Sequence, residues 1–133
     1  MRRSGSPGCI GNIGAVQLNY GVGLAEIATA LTEIGRHGTI SPAPVTLAAA
    51  AVLLSLASAE QQDRYLSGLA KGAVLTVALN EPGSSQPDRP AATLSGGVLN
   101  GTKLAVGYAS DAEWLVVTAD SGVVVVKGDA DGV

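Results

Sequence analysis

The sequence has no phenylalanine, and only one tryptophan, three tyrosines, one cysteine and one histidine in 133 residues. A core without Phe has to be assembled from Ala, Val and Leu. Cys9 stands alone, so it cannot close a disulfide within the chain or build a cysteine-rich metal site. With His37 as the sole imidazole, a zinc site lacks its usual ligands. A chain without internal disulfides fits a reducing compartment, and the expected location is cytoplasmic.

Charge is scarce as well: eight Lys and Arg against eleven Asp and Glu, a net charge of −3. The only clustered positives are Arg2 and Arg3, so there is no basic patch to bind nucleic acid. Long apolar runs are missing too. The most apolar stretch, APVTLAAAAVLLSLA at 43–57, is shorter than the roughly 20 residues of a membrane span. Prolines open it, and it reads as a buried core helix. The N-terminal MRRSGSPGCIGNIG begins with two arginines but has no apolar signal-peptide segment.

Hydrophobic residues make up 47% of the chain, which is enough for a core in one domain or in parts of two. Residues 1–19 follow no period and are expected to be poorly ordered. In LAEIATALTEI, Leu24, Ile27, Ala28, Leu31 and Ile34 fall on one helical face, and Gly35 and Gly38 end it. SPAP at 41–44 opens a second helix. Ser58 with Gln61 three residues on predicts a capping box and a third helix, ending at Lys71–Gly72.

After Gly72 the period becomes strand-like. AVLTVAL, ATLS, TKLAV, EWLVVTA and VVVVK are short β-type runs separated by EPGSS, SGG, NG and DSG. No helix interrupts them, so antiparallel pairing is expected. The fold class is α+β: three helices followed by an antiparallel sheet. The domain expectation is a partial helical domain at 20–72 and a partial β domain at 73–133. VVVVK is an aggregation-prone edge unless covered, flanked by Lys127, Asp129 and Asp131 as gatekeepers. The ending GDADGV reads as an interruption.

Isolated motifs carry little chemistry. GVGLAE at 21–26 begins like a dinucleotide fingerprint, but Glu26 stands where its third glycine belongs. His37 has neither a nucleophile nor a base beside it in sequence, and its default role is to complement a helix dipole. Glu26 and Glu33 read as a solvated helix face, and Trp114 as core. The polar loop ALNEPGSSQPD at 78–88 is different. Its small residues let a ligand approach free N–H groups closely, and its serines add donors. By composition it is either a turn or a ligand loop.

The order of the motifs carries more than any one of them. YGVGL (20–24), EIGR (33–36), SPAP (41–44), SAEQQ (58–62), ALNEPGSSQPD, Thr93, LNGTK (99–103) and ASDAEWLVV (109–117) run in the sequence of the acyl-CoA dehydrogenase family, which the chain resembles from residue 20 to 133. Its Ala-rich style is similar to actinobacterial members acting on lipid and sterol side chains. The resemblance implies an N-terminal helical domain, a middle β domain and a C-terminal bundle. It also implies an FAD-dependent α,β-dehydrogenation of acyl-CoA thioesters, in which a glutamate takes the α proton and the flavin accepts the β hydride.

Carried onto this chain, the cofactor-binding positions implied by the resemblance are Val77, Leu79, Asn80, Ser85, Gln86, Ala105 and Gly107. Asn80 replaces a flavin-bonding Thr, and Pro87 shifts the Gly-Ser step. Ala105 and Gly107 replace an aromatic ring and a hydroxyl that touch flavin. The family's catalytic Glu belongs to a C-terminal bundle that this chain does not contain, so no catalytic residue is assigned. The implied protein is a truncated dehydrogenase, inactive alone. The alternative is a non-catalytic partner of a full-length subunit, in a homo- or hetero-oligomer.

Overall fold

The computed structural model describes residues 24–85 and 88–133. The chain divides into two compact units, Met1–Ile40 and Ser41–Val133. The expected disorder of residues 1–19 lies outside the described residues.

In the first unit, helix α1 spans Leu24–Arg36. Ile27, Leu31 and Ile34 form its half-buried stripe at three- and four-residue steps, as the periodicity predicts. Ala28, expected on that face, is exposed. The His37 N–H donates to the Glu33 carbonyl, while its imidazole stands exposed, 3.8 Å from the Glu33 carboxylate.

In the second unit, α2 spans Ala43–Leu56 and α3 spans Ala59–Leu66. Pro44 sits in the first turn of α2, where its missing N–H is not needed. The capping box at α3 is complete: Ser58 Oγ accepts from Gln61 N–H, and Gln61 Oε1 accepts from Ser58 N–H. A 3₁₀ turn at Leu69–Lys71 follows, and Gly72 leaves it in the left-handed conformation.

The strands are β1 (Val74–Ala78), β2 (Thr93–Ser95), β3 (Val98–Asn100), β4 (Ala112–Ala119) and β5 (Gly122–Lys127). One sheet has the order β1-β4-β5; β2 and β3 form a separate hairpin. The α+β class and the succession of three helices and then strands are as expected. One pairing differs: β4 runs antiparallel to β5 but parallel to β1, so the sheet is mixed. A parallel pair needs a long crossover. Residues 79–111 supply it with the loop, the hairpin and the segment that follows, and among the described residues their only helix is a 3₁₀ turn at Ala109–Asp111.

Two further expectations are corrected. TKLAV is not a strand; VLN just before it is, paired with TLS across a Gly96-Gly97 turn whose φ values are +58° and +81°. Two successive positive φ angles are what a tight right-twisted hairpin turn requires. The Asn-Gly step at 100–101 is therefore not the hairpin turn. A Cβ on Gly101 would stand 2.7 Å from that of Ala92, so this glycine serves close packing.

Both faces of the sheet are apolar, which explains the near-continuous run in β4. One face carries Leu75 and Val116 against Ala49, Ala50 and Leu53 of α2 and Leu66 of α3. Trp114, expected as core, is half-buried and packs against this layer, its ring edge-on to Tyr65 at 5.0 Å. The other face carries Ala78, Leu115 and Val117 with Leu99, Val106 and Val126 around them. Helix α2 was expected as a buried core helix; Ala49, Ala50 and Leu53 on one side are buried, whereas Leu56 is 68% exposed.

Candidate functional site

The loop that follows β1 starts with a type II turn. Glu81 and Ser84 exchange both backbone hydrogen bonds, Pro82 sets the first corner, and Gly83 takes φ +82° at the second. That turn aims the Glu81 side chain inward, where it is 7% exposed. Its Oε2 accepts from Ala91 N–H at 2.7 Å, and its Oε1 from Ala92 N–H at 3.1 Å. The Lys103 ammonium, 10% exposed, meets Oε1 at 2.7 Å and donates to Thr118 Oγ1 at 2.9 Å.

Each group of this buried pair is thus hydrogen-bonded, the condition under which burial of charge is tolerable. The hydrogen bond from Lys103, with help from the Ala91 and Ala92 N–H groups and against the cost of burial, lowers the Glu81 carboxyl to about 2. A carboxylate so weakly basic is unsuited to abstracting a proton from a substrate.

The ion pair is the first of three contacts that lay residues 103–107 antiparallel alongside 76–81. The Asn80 carbonyl accepts from Leu104 N–H at 2.9 Å. The buried Thr76 hydroxyl donates to the Gly107 carbonyl at 2.6 Å. Between these anchors Ala105 takes φ +52°, and Tyr108 just beyond takes φ +57°, both strained for residues with a Cβ.

Within the second unit β1 is an edge of the sheet, and alternate residues turn their N–H and C=O outward. At Leu75 both outward groups meet one atom of α2: the Thr46 hydroxyl accepts from Leu75 N–H and donates to Leu75 C=O. The same alternation turns the N–H and C=O of Val77 outward. Among the described residues no protein group outside the sheet bonds them. The result is an edge gap that opens at Val77. Thr46 guards one side of it, and the Leu104–Gly107 segment the other.

The sequence-predicted residues therefore split. Asn80 and Gly107 take part in the three contacts directly, and Val77, Leu79 and Ala105 lie on the two segments between the bonded positions. Ser85 is exposed and bonded to none of them, and Gln86 lies outside the described residues. Glu81, Lys103, Thr118 and Thr46 were missed as site-building residues. The signal for two of them was present: opposite charges in two motifs of a charge-poor chain.

The donor and acceptor at Val77, unbonded outside the sheet among the described residues, match the polar edge of an aromatic cofactor in kind. Its face is less well served, since Ala105 has no ring and Gly107 no hydroxyl. A Cβ added at Gly107 would meet only Val45 Cγ1, at 3.9 Å, so there is room for one. Among the described residues no group of His, Cys, Asp and Glu could hold a metal ion. A cavity of about 800 Å³ opens on the Leu115 face of the sheet, lined by the hairpin, residues 130–133 and, from the site itself, Lys103 and Val106.

No family model matches the chain. Over 114 residues, 85% of its length, it is 62% identical to the acyl-CoA dehydrogenase FadE28 of Mycobacterium tuberculosis (strain ATCC 25618 / H37Rv) and covers 34% of that protein. Its fold is similar to a solved structure described as the Tcur3481-Tcur3483 steroid ACAD G363A variant. The TM-score is 0.71 with 36% identity, covering 83% of this chain and 33% of that one. The chain thus spans about a third of the length of these relatives. Identity at this level, a shared fold and the shared order of motifs place the chain in the acyl-CoA dehydrogenase family.

Proposed function

We propose that the chain is a segment of an FAD-dependent acyl-CoA dehydrogenase, carrying one wall of the flavin site and no catalytic base. The observation that carries this reading is the convergence of Val77, Leu79 and Asn80 with Ala105 and Gly107 at the guarded gap in the β1 edge. There the Val77 N–H and C=O offer one donor and one acceptor to the polar edge of a flavin, and the Asn80 amide stands next along the chain. When bound, FAD supplies the hydride acceptor for dehydrogenation of an acyl-CoA thioester. The substrate class, the cytoplasmic location and a role in fatty-acid or sterol side-chain breakdown are part of this proposal.

Titration of the purified chain with FAD, followed by gel filtration, tests it. Weak binding without acyl-CoA oxidation is expected. The double substitution Ala105→Tyr with Gly107→Ser should strengthen binding by about tenfold, because a ring and a hydroxyl are restored together. No binding by either chain would sink the reading.

The second reading is a non-catalytic partner of a full-length subunit. The missing ring and hydroxyl at 105 and 107 favour it, as does the apolar β5 edge. Co-elution with a full-length dehydrogenase subunit, without flavin, is its expected signature.

A further inference from the structure

We propose that the buried Glu81–Lys103 ion pair is a positioning device that sets the distance between the β1 edge and the 105–107 turn, and so the width of the candidate flavin slot. This rests on the reading of that edge as a flavin wall. The pair joins four separate pieces of chain: the turn after β1, the entry to β2 at Ala91–Ala92, the segment after β3, and Thr118 of β4.

Two apolar side chains would fill the same space without fixing any distance. The ion pair, with directional bonds on both partners, specifies one separation and one register. The next contact along, Leu104 N–H to Asn80 C=O, follows directly from it. The left-handed Ala105 comes immediately after, held on its far side by Thr76 and Gly107. Backbone in that conformation relaxes unless its surroundings overdetermine it. The ion pair anchors one end of the strained turn, and the Thr76 hydroxyl the other.

The test uses the full chain and four variants: Lys103→Met, Lys103→Arg, Glu81→Gln with Lys103→Met, and Thr118→Val. Amide hydrogen exchange is read at Leu104 and across β4–β5, and FAD affinity is measured alongside. In Lys103→Met and in the neutral double variant, Leu104 should exchange at least about tenfold faster while the β4–β5 amides keep their protection. FAD affinity should fall by a similar factor. Lys103→Arg should recover most of both. Thr118→Val keeps the pair and removes only one anchor, so it should fold even where Lys103→Met does not, with a smaller change of the same kind.

The proposal is overturned if the double variant keeps wild-type exchange at Leu104. It is equally overturned if β4–β5 loses protection in step with Leu104, since the pair would then support the whole fold and not this slot. If the unaltered chain takes no FAD, the flavin reading fails, and the exchange data still decide whether the pair sets the separation.

Discussion

Glu81 gives up its proton more readily than an ordinary glutamate, and the sign of the consequence follows. Its folded pKa, about 2, lies below the 4.5 of an unperturbed Glu. Its contribution to stability is therefore whole above pH about 4.5 and is lost as pH falls from there through about 2. Exchange at the Leu104 amide, corrected for its intrinsic rate, should quicken across that window in the wild type and much less in Glu81→Gln. Asp129 is also shifted down, by its hydrogen bond from Lys127, but that pair is exposed and contributes little. A second residue-scale prediction concerns Ala105. Its φ of +52° costs a residue with a Cβ about 1 kcal/mol. Ala105→Gly should raise the unfolding free energy by a similar amount, read by urea titration. At this scale the sequence marked the neighbourhood but not the partnership. EPGSS and LNGTK were both legible as motifs, yet a contact between positions 81 and 103 depends on register and on a crossover that no local pattern encodes.

Elements were more legible where the signal was local. The capping box at Ser58 and Gln61 is read from four consecutive residues and is present atom for atom. Ser58→Ala should cost about 1 kcal/mol, checked by urea unfolding, with Gln61→Ala costing less. The hairpin was misread by a few residues because both SGG and NG are turn signals, and only packing against Ala92 decides between them. The parallel pairing of β1 with β4 was hidden for a different reason: strand direction is set by the path of the crossover, and among the described residues that crossover has no α-helix to announce it. Thr46 was equally hidden, one hydroxyl within an apolar helix. Thr46→Val, nearly the same in shape, leaves the Leu75 N–H and C=O without their outer partner and should cost about 1–3 kcal/mol in the same assay.

For the whole molecule, the family order of motifs was the readable quantity, because colinearity survives where single motifs are degenerate. The 62% identity to the mycobacterial dehydrogenase runs over 114 residues, 85% of the chain. The described residues contain no helix long and apolar enough to cross a membrane. Within the second unit the two borders of the sheet are unlike. At β1 the Thr46 hydroxyl and the Leu104–Gly107 segment occupy the border. At β5 Val123 is exposed, and the neighbouring Lys127 is already neutralised by Asp129.

In the language of polymer chemistry, among the described residues that makes the sheet a monofunctional monomer with one reactive end. Two chains joined β5 to β5 would present a stopped border on either side, so growth through the sheet terminates at the dimer and cannot propagate into a fibre. Sedimentation over a concentration series should show monomer and dimer only. Val123→Lys should leave monomer alone, whereas Thr46→Val, by reopening the second border, should admit larger species.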